Sequence, residues 1–255
     1  MNTAIPSASS MVVTVQFVGT GDAFGTGGRL QACISVRWPA GHVLLDCGAT
    51  SLVGLKRLGV DPRSVDAVLV SHLHGDHFGG LPFLILDQQF ARRERPLLVA
   101  GPAGLGDRVH AAMEVLFPGS SGVRRRFPIE VQEFAPATES YVGPATVTAY
   151  PVEHASGAPA LGLRLACDDR VIAYSGDTSW TDTLVDIARD ADVFVCEAYS
   201  VERVIRYHLD FATLRANRAR LSCRRLVLTH LGPEALARRA ELDAEVAEDG
   251  LVLHL

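Results

Sequence analysis

Four side chains that can bind a metal ion occur within six residues of this sequence. The segment 72–77 reads His-Leu-His-Gly-Asp-His, and its metal-competent members are His72, His74, Asp76 and His77. Imidazole and carboxylate are the ligands expected around zinc or a similar divalent ion. The apolar run 65–70 directly precedes them, which predicts a buried strand that ends where the ligands begin. The first two histidines can then point one way, while Gly75 lets the later pair turn toward a second centre.

Three more candidate ligands follow other strand-like runs. They are His154 after the alternating stretch 146–150, Asp177 after 170–173, and His230 after 225–226. Proteins of the α/β class build their sites at the C-terminal ends of strands. Together with the first segment this makes seven ligands, which are too many for one tetrahedral ion. The pattern therefore predicts a site for two divalent metal ions.

This order of ligands resembles that of the metallo-β-lactamase-fold hydrolases, and the resemblance extends from Val12 to His254. It implies an α/β fold of the αββα sandwich type, in which two packed mixed sheets are flanked by helices. It also implies which residues bind which ion: His72, His74 and His154 the first, Asp76, His77 and His230 the second, with Asp177 bridging them beside a water or hydroxide. Zn²⁺ is the expected ion, with Mn²⁺ or Fe²⁺ as alternatives.

Within that family, two subfamilies are disfavoured. Asp177 stands where many lactamases have cysteine, and His74 stands where the di-iron electron-transfer members have glutamate. The segments 17–23 and 44–48 instead resemble the opening strand and second-strand motif of the ribonuclease Z-like and small-phosphodiesterase branch. The seven-residue segment 17–23 contains Gly19-x-Gly21, but a strand-like run follows at 32–36, so a dinucleotide-binding helix is not expected.

The same branch suggests further catalytic residues. Glu197 and His208 resemble the pair that ribonuclease Z places beside the scissile phosphate, although Leu209 and Asp210 replace the usual neighbours of that histidine. We expect His208 to protonate the leaving alkoxide and Glu197 to orient it. With Asp76 they form the predicted catalytic set. Asp46, at the end of the run 43–45, is the predicted hydrogen-bond acceptor for a ligand histidine.

These residues predict a dinuclear hydrolase in which a metal-bridging hydroxide attacks a small phosphate ester. Two alternatives remain open from the sequence. The same nucleophile attacks acyl carbons, so a carboxyl-ester, lactone or thioester hydrolase is the second interpretation. The third is a metal-binding sensor without turnover.

The expected substrate is a small anionic molecule, and no long nucleic acid is expected. Ribonuclease Z has a glycine- and proline-rich arm, in bacterial forms between the positions that match His154 and Asp177, whereas only 22 residues separate these two here. The net charge of −5 also argues against contacts with a phosphate backbone. The basic runs 92–95 and 124–126 are interpreted as solvated loops. Homodimerisation remains open.

Composition fits one domain of mixed helices and strands. The chain has 255 residues, 48% of them hydrophobic, and is expected to form a single domain at 11–255 after a disordered tail at 1–10. Helices are predicted at 50–58, 80–90, 103–117, 181–188 and 211–221. No run is long enough to span a membrane. The five cysteines are odd in number and lack a Cys-x-x-Cys spacing, which favours a reducing, cytoplasmic setting.

Overall fold

The computed structural model describes residues 12–255, whose strands form two sheets of seven strands each. The strands are β1 Thr14–Gly19, β2 Cys33–Trp38, β3 Gly41–Leu45, β4 Ala67–Leu69, β5 Leu97–Gly101, β6 Ile129–Glu133, β7 Glu139–Val142, β8 Ala145–Val152, β9 Ala160–Cys167, β10 Arg170–Tyr174, β11 Val193–Glu197, β12 Leu226–Thr229, β13 Glu245–Val246 and β14 Val252–His254. The helices are α1 Ser51–Arg57, α2 Gly75–Phe78, α3 Leu81–Phe90, α4 Leu105–Leu116, α5 Thr183–Ala188, α6 Phe211–Ala216 and α7 Pro233–Ala237. The predicted tail at 1–10 lies outside the described residues.

Each sheet combines antiparallel and parallel strands. The first sheet has the order β14-β1-β2-β3-β4-β5-β6, and the second has the order β13-β12-β11-β10-β9-β8-β7. The strands from β3 to β6 are parallel in the first sheet, and those from β10 to β13 are parallel in the second. Parallel neighbours bring the C-terminal ends of their strands to one edge, which is where site residues gather in α/β proteins.

The two sheets pack face to face, and helices cover both outer faces. Phe17 and Ile34 of the first sheet belong to the same buried apolar cluster as Leu163 of the second. On the outer face of the first sheet, α1, α3 and α4 pack their apolar side chains against the strands, and α5, α6 and α7 do the same on the second. The four layers confirm the predicted αββα sandwich, because each sheet buries both of its faces.

The five predicted helices all occur, with boundaries that differ by a few residues. The segment predicted as one helix at 211–221 is α6 followed by a 3₁₀ turn at Arg218–Arg220. Two short helices, α2 and α7, were not predicted. The Gly19-x-Gly21 loop leads through a 3₁₀ turn into β2, as expected. A side chain is impossible at Gly19, since a Cβ there would lie 1.9 Å from the Gln31 carbonyl oxygen.

The interpretation of the run 92–95 as a solvated loop is wrong for one residue. Arg93 is buried, and its guanidinium donates to the backbone carbonyls of Arg63, Arg95 and Pro96. These bonds satisfy the buried charge with carbonyl dipoles, so Arg93 fixes the turn before β5. Within the described part of the chain, no helix has the length and apolar character needed to cross a membrane.

Candidate metal centre

Every predicted ligand stands shortly after the C-terminal end of a strand. The residues are His72, His74, Asp76 and His77 after β4, His154 after β8, Asp177 after β10, and His230 after β12. The 22 residues between His154 and Asp177 contain β9, a tight turn and β10. The strand ends therefore bring ligands that lie far apart in the chain to one edge of the sandwich.

The seven side chains meet in two adjacent groups. One group consists of His72, His74 and His154, and the other of Asp76, His77, Asp177 and His230; within each group the possible ligand atoms lie within 4.8 Å of one another. The spacing suits donor atoms that share one ion, because metal–nitrogen and metal–oxygen bonds are about 2.0–2.2 Å long.

Asp177 lies between these two groups. Its Oδ1 is 3.3 Å from Nε2 of His77, and its Oδ2 is 3.5 Å from Nε2 of His230. The same Oδ2 is 3.9 Å from Nε2 of His72, which belongs to the other group. One carboxylate thus faces histidines of both groups, as a bridging ligand would.

A buried carboxylate orients two of the histidines. Asp46 Oδ2 accepts hydrogen bonds from His77 Nδ1 at 2.7 Å, from the Ser71 hydroxyl at 2.8 Å and from the Tyr174 hydroxyl at 2.8 Å. The Ser71 oxygen lies 3.1 Å from Nδ1 of His72 and can accept its proton. Both rings then turn their Nε2 atoms toward the centre of the site. Asp46 therefore contacts His77, one of the predicted ligands.

The backbone at this carboxylate is unusual. Asp46 has a φ of 60°, in the left-handed region that residues with a side chain rarely adopt, and its backbone N–H donates to the Leu69 carbonyl at 2.8 Å. His230 has a φ of 57° and donates its N–H to the Thr20 carbonyl at 3.0 Å. Strained conformations of this kind cluster at functional sites, where the surrounding fold holds them.

Unpaired polar atoms mark the centre of the cluster. Among the described residues, the buried atoms without a hydrogen-bond partner include Nε2 of His72, Nε2 of His77 and Oδ1 of Asp177. Leaving such an atom unsatisfied costs about 1–3 kcal/mol, so a fold rarely gathers several at one point without a ligand for them. Three imidazole and carboxylate donors that face one another fit a divalent metal ion, and the cluster is a divalent metal-binding site by its chemistry.

The two groups of ligands differ in the pKa shifts of their histidines. Burial lowers the pKa of His72 well below its usual value, and it also lowers the pKa of His74 and His154, so these rings are neutral and can act as ligands. In the other group burial acts in the same direction, but the carboxylates of Asp177, Asp46 and Asp76 outweigh it and raise the pKa of His77 well above its usual value. The carboxylates therefore concentrate negative charge at this group, which favours a bound cation.

Next to the cluster lies a carboxyl–imidazole pair. Nδ1 of His208 is 3.0 Å from Oε2 of Glu197, whose other oxygen accepts the backbone N–H of Thr178. Burial raises the pKa of Glu197 and lowers that of His208, so the proton between them can rest on either residue. Glu197 and His208 thus lie in hydrogen-bond contact, and their catalytic roles stay a prediction.

Sequence reasoning did not find Tyr199, which also contacts this pair. Its ring stacks on that of His208 with centroids 4.7 Å apart and an angle of 28° between planes. A Cβ at Gly232 would lie 3.0 Å from the Tyr199 ring, so only glycine leaves room for it there. The adjacent Glu197-Ala198 motif and the glycine after His230-Leu231 were the available signals, but neither specifies an aromatic contact.

Known proteins are similar to this chain over most of its length, in sequence or in structure. The ribonuclease Z of Anoxybacillus flavithermus is 26% identical over 273 residues, covering 84% of this chain and 85% of its own. The metallo-β-lactamase fold protein YhfI of Bacillus subtilis superposes with a TM-score of 0.77 at 20% identity, covering 96% of this chain and all of its own. The short form of human tRNase Z superposes with a TM-score of 0.76 at 24% identity, covering 94% and 98%.

These similarities confirm the resemblance to ribonuclease Z-like hydrolases of the metallo-β-lactamase fold and indicate a metal-dependent hydrolase. They also overturn one expectation. The prediction that no long nucleic acid is a partner was wrong, because the relatives that match most of the chain are ribonucleases by name. Net charge sums over the whole surface, whereas phosphate binding depends on the local charge around a site, so −5 overall excludes no RNA partner.

A match to a family model identifies the family to which the chain belongs. The model described as "Anti-Pycsar protein Apyc1" matches residues 13–245, a range that begins just before β1 and ends at the first residue of β13. This range includes all seven predicted metal ligands as well as Glu197 and His208. The chain therefore belongs to the family described as Anti-Pycsar protein Apyc1.

Proposed function

We propose that this protein is a dinuclear metal phosphodiesterase that hydrolyses a small phosphate ester. The observation that carries the proposal is the position of Asp177, whose two oxygens face His77 on one side and His230 and His72 on the other. Two ions of the Zn²⁺ type bound by these groups would lower the pKa of a water toward neutrality and hold substrate oxygens in line. The histidine-rich donor set favours zinc, and it also accepts manganese or iron.

The residues of the chain have separate tasks in this reaction. His72, His74 and His154 would hold one ion, and Asp76, His77 and His230 the other, and Asp177 would serve both. Asp46 fixes the ring orientations of two of these histidines through the hydrogen bonds to Ser71 and His77. The site is therefore organised before substrate binds, which lowers the cost of reaching the transition state.

The leaving group needs a proton, since an alkoxide is a poor leaving group at neutral pH. His208 is placed to supply it from Nε2, because Nδ1 is engaged by Glu197 at 3.0 Å. When Nε2 gives its proton to the leaving group, the proton shared with Glu197 resides on Nδ1. The imidazole of His208 is then neutral, and the carboxylate of Glu197 is charged. Such a transfer contributes typically 10²–10⁴-fold to the rate.

Substrate class is tested with a panel of compounds. We expect the purified protein, loaded with zinc or manganese, to hydrolyse bis-(p-nitrophenyl) phosphate faster than a lactone and a thioester of similar size. A precursor transfer RNA is the fourth substrate, since the named relatives are ribonucleases. Turnover of the acyl substrates alone would contradict the phosphodiesterase proposal, and turnover of the RNA without the small diester would contradict the small substrate.

Metal content provides a second test, which is independent of any substrate. We expect elemental analysis to find about two transition-metal ions per chain after reconstitution, because seven donor atoms form two adjacent groups that share Asp177. Dialysis against a chelator should remove both ions together with the activity. A content that remains near one ion at saturating metal would contradict the dinuclear proposal.

All five cysteines are free and buried, as expected for thiols that behave as small apolar side chains. Burial raises the pKa of Cys47 to about 12 and leaves its thiol protonated and unreactive. This supports the proposal of a reducing, cytoplasmic location.

A further inference from the structure

A cleft of about 530 Å³ lies beside the metal centre and has no assigned role. Its lining includes Ala23, Gln31, Gly75, Asp76, Phe83 and Leu116. We name it the α2–α4 cleft, since α2, α3 and α4 each contribute to its wall. The volume lies within the range of about 300–1,000 Å³ that small-molecule sites occupy.

The cleft is continuous with the proposed metal site through one residue. Asp76 lines the cleft, and its Oδ2 lies 3.3 Å from Nε2 of His77 and 3.3 Å from Nε2 of His230. A phosphate held at the metal centre would therefore have its substituent next to this cleft. A separate pocket surrounds His42 and Arg95, which lie at the N-terminal ends of β3 and β5. The predicted ligands follow the C-terminal ends of strands, so this second pocket is not next to the metal site.

The lining is almost entirely apolar. Phe83 is 37% exposed and Leu116 is 47% exposed, so both offer apolar surface that a ligand could remove from water. The Phe83 ring is held in place by Phe117, at a centroid distance of 5.3 Å and an angle of 84°. Asp76 is the one charged residue in the wall, and its carboxylate is engaged with the histidines.

Two glycines give this cleft a flat side. A Cβ at Gly79 would lie 2.3 Å from the Gly75 carbonyl oxygen, so the α2 turn requires glycine there. At Gly75, by contrast, a Cβ would meet nothing within 4 Å, and φ is not in the left-handed region. The space above Gly75 is therefore open, and Gly75 and Gly79 line the same cleft as the apolar side chains of Phe83 and Leu116. An aromatic side chain in the wall, with Asp76 as the one charged residue, favours an apolar ring over a charged group.

We propose that the α2–α4 cleft binds an apolar, ring-bearing substituent of the substrate, next to the phosphate that is cleaved. The inference rests on the proposed phosphodiesterase function, and it adds the chemical class of the group beside the phosphate. Stacking and burial of a ring against Phe83 and Leu116 supply the binding energy, and the open backbone at Gly75 admits the ring.

Two substitutions change the cleft in opposite ways. Phe83→Ala removes its aromatic wall, and Gly75→Ala places a methyl group in its open space without a clash. The control is Phe90→Ala, since Phe90 lies on the same helix, is 82% exposed and does not line the cleft. All variants are first checked for unchanged metal content.

Binding is measured by calorimetry on the zinc-loaded protein with phenylphosphonate and methylphosphonate, which differ only in the substituent. We expect the native protein to bind the phenyl compound about tenfold more tightly, which corresponds to about 1.4 kcal/mol. Phe83→Ala and Gly75→Ala should each reduce this preference to about threefold or less and leave the affinity for methylphosphonate unchanged. Phe90→Ala should change the affinity for neither phosphonate.

The outcomes separate this inference from the proposed function. An unchanged phenyl preference in both variants overturns the cleft assignment, and so does equal weakening of both phosphonates, which would place the effect at the metal site. If Phe83→Ala alters the oligomeric state and leaves the preference unchanged, the surface packs against a second copy instead. A native protein that binds both phosphonates but turns over no diester contradicts the proposed function and leaves the binding preference measurable.

Discussion

Replacing Asp177 with alanine is expected to remove the metal ions and the hydrolytic activity together. Its carboxylate lies 3.3 Å from His77 and 3.5 Å from His230, and it also faces His72 at 3.9 Å. The substitution therefore deletes the group proposed to contact both ions. Elemental analysis should find fewer than one ion per chain at metal concentrations that saturate the native protein, and turnover should fall by more than about 10⁴-fold, since nucleophile and substrate positioning are lost together.

A matched control uses a carboxylate at the other end of the same sheet. Asp192 is also largely buried; it accepts the backbone N–H of Val171 at 2.9 Å and faces Arg170 and Arg224. Asp192→Asn should retain metal and activity and change only stability. Asp177→Asn keeps the shape of the side chain and removes its charge. Loss of metal in a folded Asp177→Asn variant would therefore be due to the missing carboxylate and not to misfolding. Two retained ions in a folded Asp177→Ala variant would contradict the bridging role.

The candidate site could be predicted from the sequence because its polar residues follow segments with a strand pattern. Each of His154, Asp177 and His230 comes shortly after such a segment, and the strand that precedes it determines where it emerges. The pairing of strands then brings these ends to one edge of the sandwich. Strand periodicity and the position of the ligand thus contain most of the information that locates the cluster.

Helix α2 could not be predicted in this way. Its sequence Gly-Asp-His-Phe has poor helix propensity, and one turn gains little from its own hydrogen bonds. Tertiary contacts hold it: Cys47 N–H donates to the His77 carbonyl at 2.6 Å, and Gly80 N–H donates to the Cys47 carbonyl at 2.8 Å. The turn that presents Asp76 and His77 therefore depends on β3, which lies about thirty residues earlier in the chain.

Helix α7 was missed for a different reason. Pro233 occupies its first turn, a position that proline favours, so a local signal was present. The helix is only five residues long, and α5 and α6 each have six, so composition alone separates such segments poorly from loops.

The prediction that no long nucleic acid binds was wrong for a reason unrelated to secondary structure. It relied on the net charge and on the length of one connection, and neither describes the surface around the site.

Replacing His208 with alanine is expected to preserve both metal ions and to lower turnover by about 10²–10⁴-fold, the range for losing a general acid. Two contacts hold this ring, the hydrogen bond to Glu197 at 3.0 Å and the stacking on Tyr199 at 4.7 Å. One ring nitrogen of His208 also lies within 4.8 Å of ligand atoms on His154 and Asp177, so a role as metal ligand is the alternative to proton donation. Metal content decides between the two roles.

If His208 is the proton donor, the loss should appear in kcat while the metal content and the affinity for phenylphosphonate remain unchanged. Glu197→Gln should show a smaller loss, because it removes the acceptor that balances the proton on His208 and leaves the imidazole in place. The control is His110→Ala, since His110 is exposed on α4 away from the cluster. Loss of an ion from the His208→Ala variant would reassign the residue as a ligand. Full activity would instead remove the need for a proton donor and favour an acyl substrate, whose first step expels no alkoxide.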